Sequence, residues 1–147
     1  MSYEIVAVTD QNGRILDPGL LAAAELVHCQ LRSHLLGQYV ATMTRVLQGG
    51  AEMCVAREAD RIGGVAVFRV SQNTSQGLHL YVDDLVSDKD QRSRGIGNAL
   101  LDHLAHIGKQ RNCIALVLDS GTQRARAHAF YFREGYAIRA FHFVKPL

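Results

Sequence analysis

The chain contains few cysteines and no long hydrophobic stretch. Its three cysteines, Cys29, Cys54 and Cys113, are odd in number and include no C-x-x-C pair. This pattern argues against a disulfide framework and against a cysteine-based zinc site. The longest apolar runs, Leu20 to Ala24 and Cys113 to Leu118, are far shorter than the about 20 residues that a membrane-spanning helix needs. We therefore expect a protein of the reducing cytoplasm that has no membrane partner.

Targeting signals and metal motifs are also missing from the sequence. The first four residues show no basic segment followed by an apolar core, so no signal peptide is predicted. The seven histidines form no H-E-x-x-H motif, and the closest pair, His103 and His106, has no third ligand at a suitable spacing. We therefore expect no metal site. Proline occurs only at Pro18 and Pro146, so nothing breaks the middle of the chain.

Size and charge distribution are the first positive signals. The 147 residues suit one domain, which we predict to span 1–147. A composition of 48% apolar and 20% charged residues excludes a disordered or collagen-like chain. Residues 1–90 carry 7 Lys+Arg against 11 Asp+Glu, whereas residues 91–147 carry 9 against 3. The basic last third predicts an anionic ligand, but a net charge of +2 is too small to indicate a nucleic-acid partner.

Hydrophobic periodicity predicts one alternating set of strands and helices. The expected order is β-α-α-β-β-β-α-β-α-β, an α/β (α+β) arrangement with helices on both faces of a sheet. The predicted strand at 113–119 is apolar from Cys113 to Leu118, which is typical of a strand covered on both faces. The predicted strands are 3–9, 52–57, 62–72, 78–87, 113–119 and a terminal strand or strand pair at 136–144; the predicted helices are 20–36, 39–47, 94–111 and 122–134.

The most informative stretch runs from Asp83 to Asn98, where a strand, a polar loop and two glycines precede a helix. Glycines and helix N-terminal amides suit a pyrophosphate, and Arg92 and Arg94 add positive charge. A simple turn with solvated arginines is the alternative. A Walker A loop is absent, and the dinucleotide fingerprint fails because position 100 is Leu. Asp119 nevertheless lies where a ribose-binding acid would follow such a fingerprint.

Two motifs give the chain a resemblance to the GNAT superfamily of acyl-CoA-dependent N-acetyltransferases. Arg92-x-x-Gly95-x-Gly97, preceded by Asp84-Leu85-Val86, resembles the family's pyrophosphate loop and the strand before it. Ala127-x-x-Phe130-Tyr131-x-x-x-Gly135-Tyr136 is similar to the family's segment on the last helix. The resemblance covers essentially the whole chain and is strongest to small, bacterial-type single-domain members. It implies the GNAT fold, a central, mixed, mostly antiparallel twisted sheet with helices on both faces.

The resemblance also implies an activity. The expected reaction is transfer of the acetyl group of acetyl-CoA, as co-substrate, to a primary amine of a small molecule or peptide by direct attack in a ternary complex. No metal would be needed, and a homodimer is the prior for oligomeric state. A non-catalytic acyl-CoA-binding or regulatory module of the same fold, and a nucleotide-binding module, are the alternatives.

Cofactor-binding residues follow from the same resemblance. The pantetheine arm would lie along the strand end, where a backbone N–H of Leu85 or Val86 is the expected donor to the oxyanion. Arg124 could contact pantetheine or phosphate oxygens, although family members often carry Asn at this position. The complete set of implied cofactor contacts is Leu85, Val86, Ser87, Arg92, Ser93, Arg94, Gly95, Ile96, Gly97, Asn98 and Arg124.

Tyr131 is the catalytic residue that the family motif indicates most directly. A phenol is protonated at neutral pH and can donate to a leaving thiolate, although a packed aromatic role is the alternative.

The general base is less sharply defined. Asp83 is the first choice, followed by Asp84, with His128 and His79 as further alternatives. Strand alternation puts Asp83 on the face of Tyr81 and Asp84 on the opposite face, unless a bulge intervenes.

Overall fold

The computed structural model describes residues 3–147, which form two compact units. The N-terminal unit extends to Val117, and the C-terminal unit runs from Leu118 to Leu147. The first two residues, on which the signal-peptide prediction partly rests, lie outside the described residues. Within the described residues, no helix combines the length and the hydrophobicity that a membrane span requires.

Within residues 3–147, five strands form one mixed sheet in the order of the chain. The first three pairings are antiparallel. The last pairing, between the fourth and fifth strands, is parallel. It begins where Ile114 N donates to Leu78 O and Leu80 N donates to Ala115 O, so the residue numbers increase in the same direction along both strands. The mixed, mostly antiparallel sheet is as predicted. Its strands are β1 (Glu4–Ala7), β2 (Glu52–Glu58), β3 (Arg61–Asn73), β4 (Gly77–Ser87) and β5 (Leu116–Leu118).

In the part of the chain that the structure describes, five α-helices connect or follow these strands, and short 3-10 turns occur at Ser33–Leu35 and Lys89–Gln91. Asp17 caps the first helix by accepting a hydrogen bond from Leu20 N. At the other end of the chain, Gly135 has a φ of +90° and ends the last helix. The helices are α1 (Pro18–Ala23), α2 (Glu25–His28), α3 (Tyr39–Gln48), α4 (Ile96–Gln110) and α5 (Ala125–Arg133).

The long helix predicted for 20–36 is divided into α1, α2 and the first 3-10 turn. Val27, His28 and Cys29 are all buried. Consecutive residues on a helix are about 100° apart, so one straight helix cannot bury three in a row against a single face. The helix therefore ends at His28 and the chain turns there, so that all three side chains are buried.

Side chains of the central strands alternate between two faces of the sheet. Val55, Val65 and Val67 pack in the main core with residues of α1, α2 and α3. The intervening residues face α4 on the other side. There, a Cβ on Gly64 would lie 2.6 Å from Ile96 Cγ2 and 2.9 Å from Leu100 Cδ1. Glycine at this position therefore allows α4 to lie directly on the sheet.

Two predictions about the end of the chain are wrong. The strand predicted for 113–119 is limited to Leu116–Leu118, which are half-buried, and Ile114 is 77% exposed. The terminal strand predicted for 136–144 is not formed, and residues 137–147 contain no strand. Tyr136 N instead bonds to Tyr131 O and closes α5. A strand requires backbone partners, and the apolar residues of this segment, Phe141 and Phe143 among them, are exposed.

Candidate active site

A bulge interrupts strand β4 at Asp83. Val67 pairs with Asp84 while Phe68 pairs with Val82, so Asp83 has no partner in the ladder. A bulge inserts one residue and reverses the in–out alternation beyond it. Asp84 consequently lies on the face of α1–α3, where its carboxylate meets His28. Regular strand alternation therefore does not hold through Asp83 and Asp84. The structure has the bulge that the sequence analysis named as the exception.

Asp83 is partly buried beside one arginine. Its Oδ2 accepts a hydrogen bond of 2.8 Å from Arg69 Nε, and Arg69 Nη1 also donates to the carbonyl of Gly49 at 3.3 Å. Burial raises the pKa of Asp83 above its ordinary value, although the hydrogen bond from Arg69 opposes this shift. A carboxylate with a raised pKa is a better proton acceptor than an ordinary surface aspartate.

The neighbouring Asp84 has the opposite electrostatic character. Its Oδ2 lies 2.7 Å from His28 Nε2, and its Oδ1 accepts bonds of 2.9 and 2.5 Å from Nε and Nη2 of Arg32. Burial alone would raise the pKa of Asp84, but the hydrogen bonds from His28 and Arg32 hold it below its ordinary value. Asp84 is therefore a poor proton acceptor and a well-anchored anion.

The loop after β4 presents an open cradle of backbone amides. Ser93 and Gly95 have left-handed φ values of +65° and +77°. Within the part of the chain that the structure describes, the N–H groups of Gly95–Asn98 have no protein acceptor. Among the described residues, apart from Gly95 and its two neighbours in the chain, no heavy atom lies within 4 Å of a Cβ built on Gly95. Free amides at a helix N-terminus, facing open space, can bind a phosphate group.

The two arginines of this loop have different surroundings. Arg94 donates to the Tyr3 hydroxyl at 3.2 Å and to Gln91 Oε1, and its Nη2 lies 3.8 Å from Glu58. These contacts brace the loop against the β2–β3 hairpin side of the sheet. Arg92 is exposed and has no side-chain partner among the described residues. Arg92 is therefore the freer of the two to meet an anionic ligand.

In the C-terminal unit, Tyr131 is half-buried on α5. Its ring contacts Phe130 and Tyr136, with ring centroids 5.4 and 5.6 Å away. Burial raises the pKa of the Tyr131 phenol, and the nearby charge of Arg124 opposes this shift. The phenol is therefore protonated at neutral pH and can act as a donor.

The two alternative histidine bases each have a local partner. His128 Nε2 lies 2.8 Å from Gly121 O, and His79 Nδ1 lies 2.9 Å from Gly77 O. Because a carbonyl only accepts, each ring nitrogen carries the hydrogen. Among the described residues, no group of three or more His, Cys, Asp or Glu side chains could hold a metal ion.

Comparison with known proteins identifies the family of this chain. Residues 24–136 match the family model described as the acetyltransferase (GNAT) family. The chain belongs to the GNAT acetyltransferase family. It is 37% identical over 111 residues to the Bacillus subtilis (strain 168) protein called uncharacterized N-acetyltransferase YhdJ, a match that covers 65% of this chain and 75% of that protein.

Solved structures confirm the GNAT fold that the motifs implied. A ribosomal-protein-alanine N-acetyltransferase from Brucella melitensis biovar Abortus 2308 is similar with a TM-score of 0.80 and 20% identity, over 99% of both chains. An aminoglycoside acetyltransferase from an uncultured soil metagenomic sample has a TM-score of 0.76 and 23% identity, over 100% of this chain and 99% of that one. At these identities the likeness concerns the fold alone.

Within this GNAT chain, the structure brings some predicted site residues together and adds two others. Asp83, Asp84 and Leu85 lie consecutively at the bulge, and the glycine loop follows after the end of β4 and the 3-10 turn at Lys89–Gln91. Sequence reasoning assigned no role to His28, which ends α2, or to Arg32, which lies four residues beyond it, and both bond to Asp84. No helical spacing could have paired them, because the helix ends at His28.

Proposed function

We propose that this protein transfers the acetyl group of acetyl-CoA to a primary amine of a small molecule or peptide, by direct attack in a ternary complex. GNAT acetyltransferases generally use acetyl-CoA and act on amines. The observation that best supports the proposal is the open cradle of amides at Gly95–Asn98, in the segment that follows β4 and the 3-10 turn at Lys89–Gln91. It offers a phosphate-binding surface in the segment after the strand that carries the partly buried carboxylate of Asp83.

Binding of acetyl-CoA would use backbone groups first. The amides of Gly95, Ile96, Gly97 and Asn98 are free to meet the pyrophosphate, with Arg92 and Ser93 exposed beside them. The role of Arg94 as a phosphate ligand stays a prediction. Its guanidinium already contacts Tyr3 and Glu58, so it would have to exchange partners to reach a phosphate. The pantetheine arm is proposed to lie along Leu85, Val86 and Ser87, and Arg124 remains a proposed contact from the C-terminal unit.

Asp83 is proposed as the general base. An alkyl ammonium has a pKa near about 10, so the amine must lose a proton before it can attack the thioester. Asp83 could accept that proton directly or through water, and its raised pKa suits this role better than the lowered pKa of Asp84.

Two donors complete the proposed mechanism. A backbone N–H of Leu85 or Val86 would stabilise the tetrahedral oxyanion as charge moves onto the former carbonyl oxygen. When that intermediate collapses, the carbon–sulfur bond breaks and the CoA thiolate leaves. Tyr131 is proposed to protonate the thiolate, because its phenol carries a proton at neutral pH.

The proposal also covers the extent of the domain, the place in the cell and the oligomeric state. We propose that residues 1–147 act as one acetyltransferase domain, that the protein works in the cytoplasm, and that any oligomer is a homodimer. The residues and comparisons support these points only through the resemblance to small, bacterial-type GNAT proteins and the frequency of two-fold dimers.

A thermal-shift titration with acetyl-CoA, NAD and ATP tests the ligand. A ligand that binds the native state raises the melting temperature according to its concentration relative to its dissociation constant. We expect stabilisation by acetyl-CoA and little by NAD or ATP at equal concentration. Stabilisation by NAD but not by acetyl-CoA would contradict the proposal and favour a nucleotide-binding module.

A further inference from the structure

Two further side chains, from the end of α2 and the turn after it, converge on the bulge. His28 ends α2 and is fully buried, at 0% exposure. Arg32 follows four residues later with its side chain 43% exposed. Both bind the carboxylate of Asp84, which lies more than 50 residues further along the chain. We call His28, Arg32 and Asp84 the β4 clamp.

The hydrogen positions in the β4 clamp follow from Tyr39. Its hydroxyl lies 2.8 Å from His28 Nδ1 in a buried setting, and it has no other partner among the described residues. Burial raises the pKa of Tyr39, so the phenol keeps its hydrogen and donates it to Nδ1. His28 therefore carries its hydrogen on Nε2 and donates it to Asp84, which leaves every polar atom of this buried chain satisfied.

Within the β4 clamp, Arg32 contacts both Asp83 and Asp84. Arg32 binds Asp84 Oδ1 through two nitrogens, and its Nη2 also lies 3.4 Å from the backbone carbonyl of Asp83. Asp83 has no ladder partner of its own, so the bond from Arg32 restrains its backbone where the ladder does not. Loss of either partner of Asp84 would let the local chain shift.

We propose that His28 and Arg32 are positioning residues that act through Asp84 to hold the β4 bulge in place. In that position the bulge directs the Asp83 carboxylate and the Leu85 amide toward the reacting groups. The effect on turnover rests on the proposed acetyltransferase function, whereas the effect on the bulge does not. A misplacement of a catalytic group by about 1 Å can reduce turnover about 100-fold.

Hydrogen exchange tests the clamp without any substrate. We expect Arg32→Gln to accelerate exchange of the amides at 83–85 by about 10-fold, because local opening becomes easier, while amides of α4 keep the parent rates. Arg57→Gln is the matched control, since it removes a partly exposed ion pair with Glu4 on β1 and β2. Unchanged exchange at 83–85 in Arg32→Gln would overturn the proposal. Arg32 is half-exposed, so this variant should fold even if changes at His28 prevent folding.

Kinetics then separates positioning from direct catalysis. We expect Arg32→Gln to lower kcat by about 10-fold or more with the KM for acetyl-CoA nearly unchanged, and Arg32→Lys to recover part of the loss because it keeps one charged donor. Asp84→Asn should retain the acidic limb of the pH–rate profile. Disappearance of that limb in Asp84→Asn would make Asp84 the base and overturn its positioning role. A parent protein that acetylates no amine would refute the proposed function, while hydrogen exchange would still decide the clamp.

Discussion

Asp83 and Asp84 are adjacent carboxylates with opposite environments. Asp83 has one arginine partner and a pKa raised by burial, whereas Asp84 has two partners that hold its pKa low. Paired carboxylates whose environments push their pKa values apart can take different roles. The proposed mechanism accordingly gives proton transfer to Asp83 and anchoring to Asp84.

The role of Asp83 predicts a specific pH dependence. The base works as the carboxylate, so activity should be present above its pKa and lost as the pH falls through it. Because that pKa is raised, the loss should begin at a higher pH than for an ordinary aspartate. We expect Asp83→Asn to lower kcat/KM about 100-fold and to remove the acidic limb.

The matched control for this test is Asp102→Asn, which changes an exposed aspartate on α4. It should keep both the rate and the pH profile of the parent. An Asp83→Asn enzyme that retains the acidic limb would show that another group titrates there.

Tyr131 gives a second prediction at the scale of one atom. Replacement by Phe removes the hydroxyl but keeps the ring contacts with Phe130 and Tyr136. We expect Tyr131→Phe to lower kcat by about 100-fold with acetyl-CoA affinity nearly unchanged. Tyr136→Phe is the control for loss of a phenol from the same unit, and parent-like turnover in Tyr131→Phe would refute the acid role.

At the scale of secondary structure, the sequence predicted β2, β3, β4, α3, α4 and α5 close to their observed bounds. It could not place the bulge, because Asp83 and Asp84 are both acidic and alternation gives no preference for either face. It also missed the division of the first helix, because three consecutive buried residues, Val27, His28 and Cys29, depend on tertiary contacts that helical periodicity does not contain.

The same limit applies to the candidate site. The glycine loop was visible because Gly95 and Gly97 have a fixed local spacing, and local spacing survives without the fold. The contact between Arg32 and Asp84 joins residues 52 positions apart. Only the folded sheet brings such residues together, so no local pattern could predict their partnership.

The loop before α4 allows a closely matched comparison. Gly95 and Gly37 have similar left-handed φ values of +77° and +84°, and neither has a heavy atom within 4 Å of a built Cβ. Alanine at either position should cost about 1 kcal/mol of stability through backbone strain. Only Gly95→Ala should weaken acetyl-CoA binding, measured by calorimetry, because only its Cβ occupies the space proposed for phosphate. Equal affinities in the two variants would contradict the pyrophosphate site.

The end of α4 is attached to the sheet by a bidentate ion pair. Arg111 donates bonds of 2.6 and 2.8 Å to the two carboxylate oxygens of Glu52, which is only 6% exposed on its side chain. We expect Glu52→Gln to reduce the free energy of unfolding by about 1–2 kcal/mol, since Arg111 is partly hydrated and keeps one acceptor. Glu4→Gln, at an exposed pair with Arg57, should cost about 0.5 kcal/mol or less in the same urea titration.

At the scale of the whole molecule, ion pairs offset part of the excess of acidic residues in the first part of the chain. The carboxylates of Asp83 and Asp84 are each paired with an arginine of the same unit. These two residues therefore add little net charge that could attract a cationic amine. Short-range hydrogen bonding at the bulge is the better guide to how an amine would be bound.

The central claim is acetyl transfer to an amine, and an acetylation screen tests it most directly. The parent protein would be incubated with acetyl-CoA and a panel of small-molecule and peptide amines, and the released CoA thiol would be measured with a thiol reagent. We predict amine-dependent release of thiol for at least one member of the panel, with loss of that signal in Tyr131→Phe. Acetyl-CoA binding without amine-dependent thiol release from any member of a broad panel would contradict the claim and indicate a non-catalytic acyl-CoA-binding module.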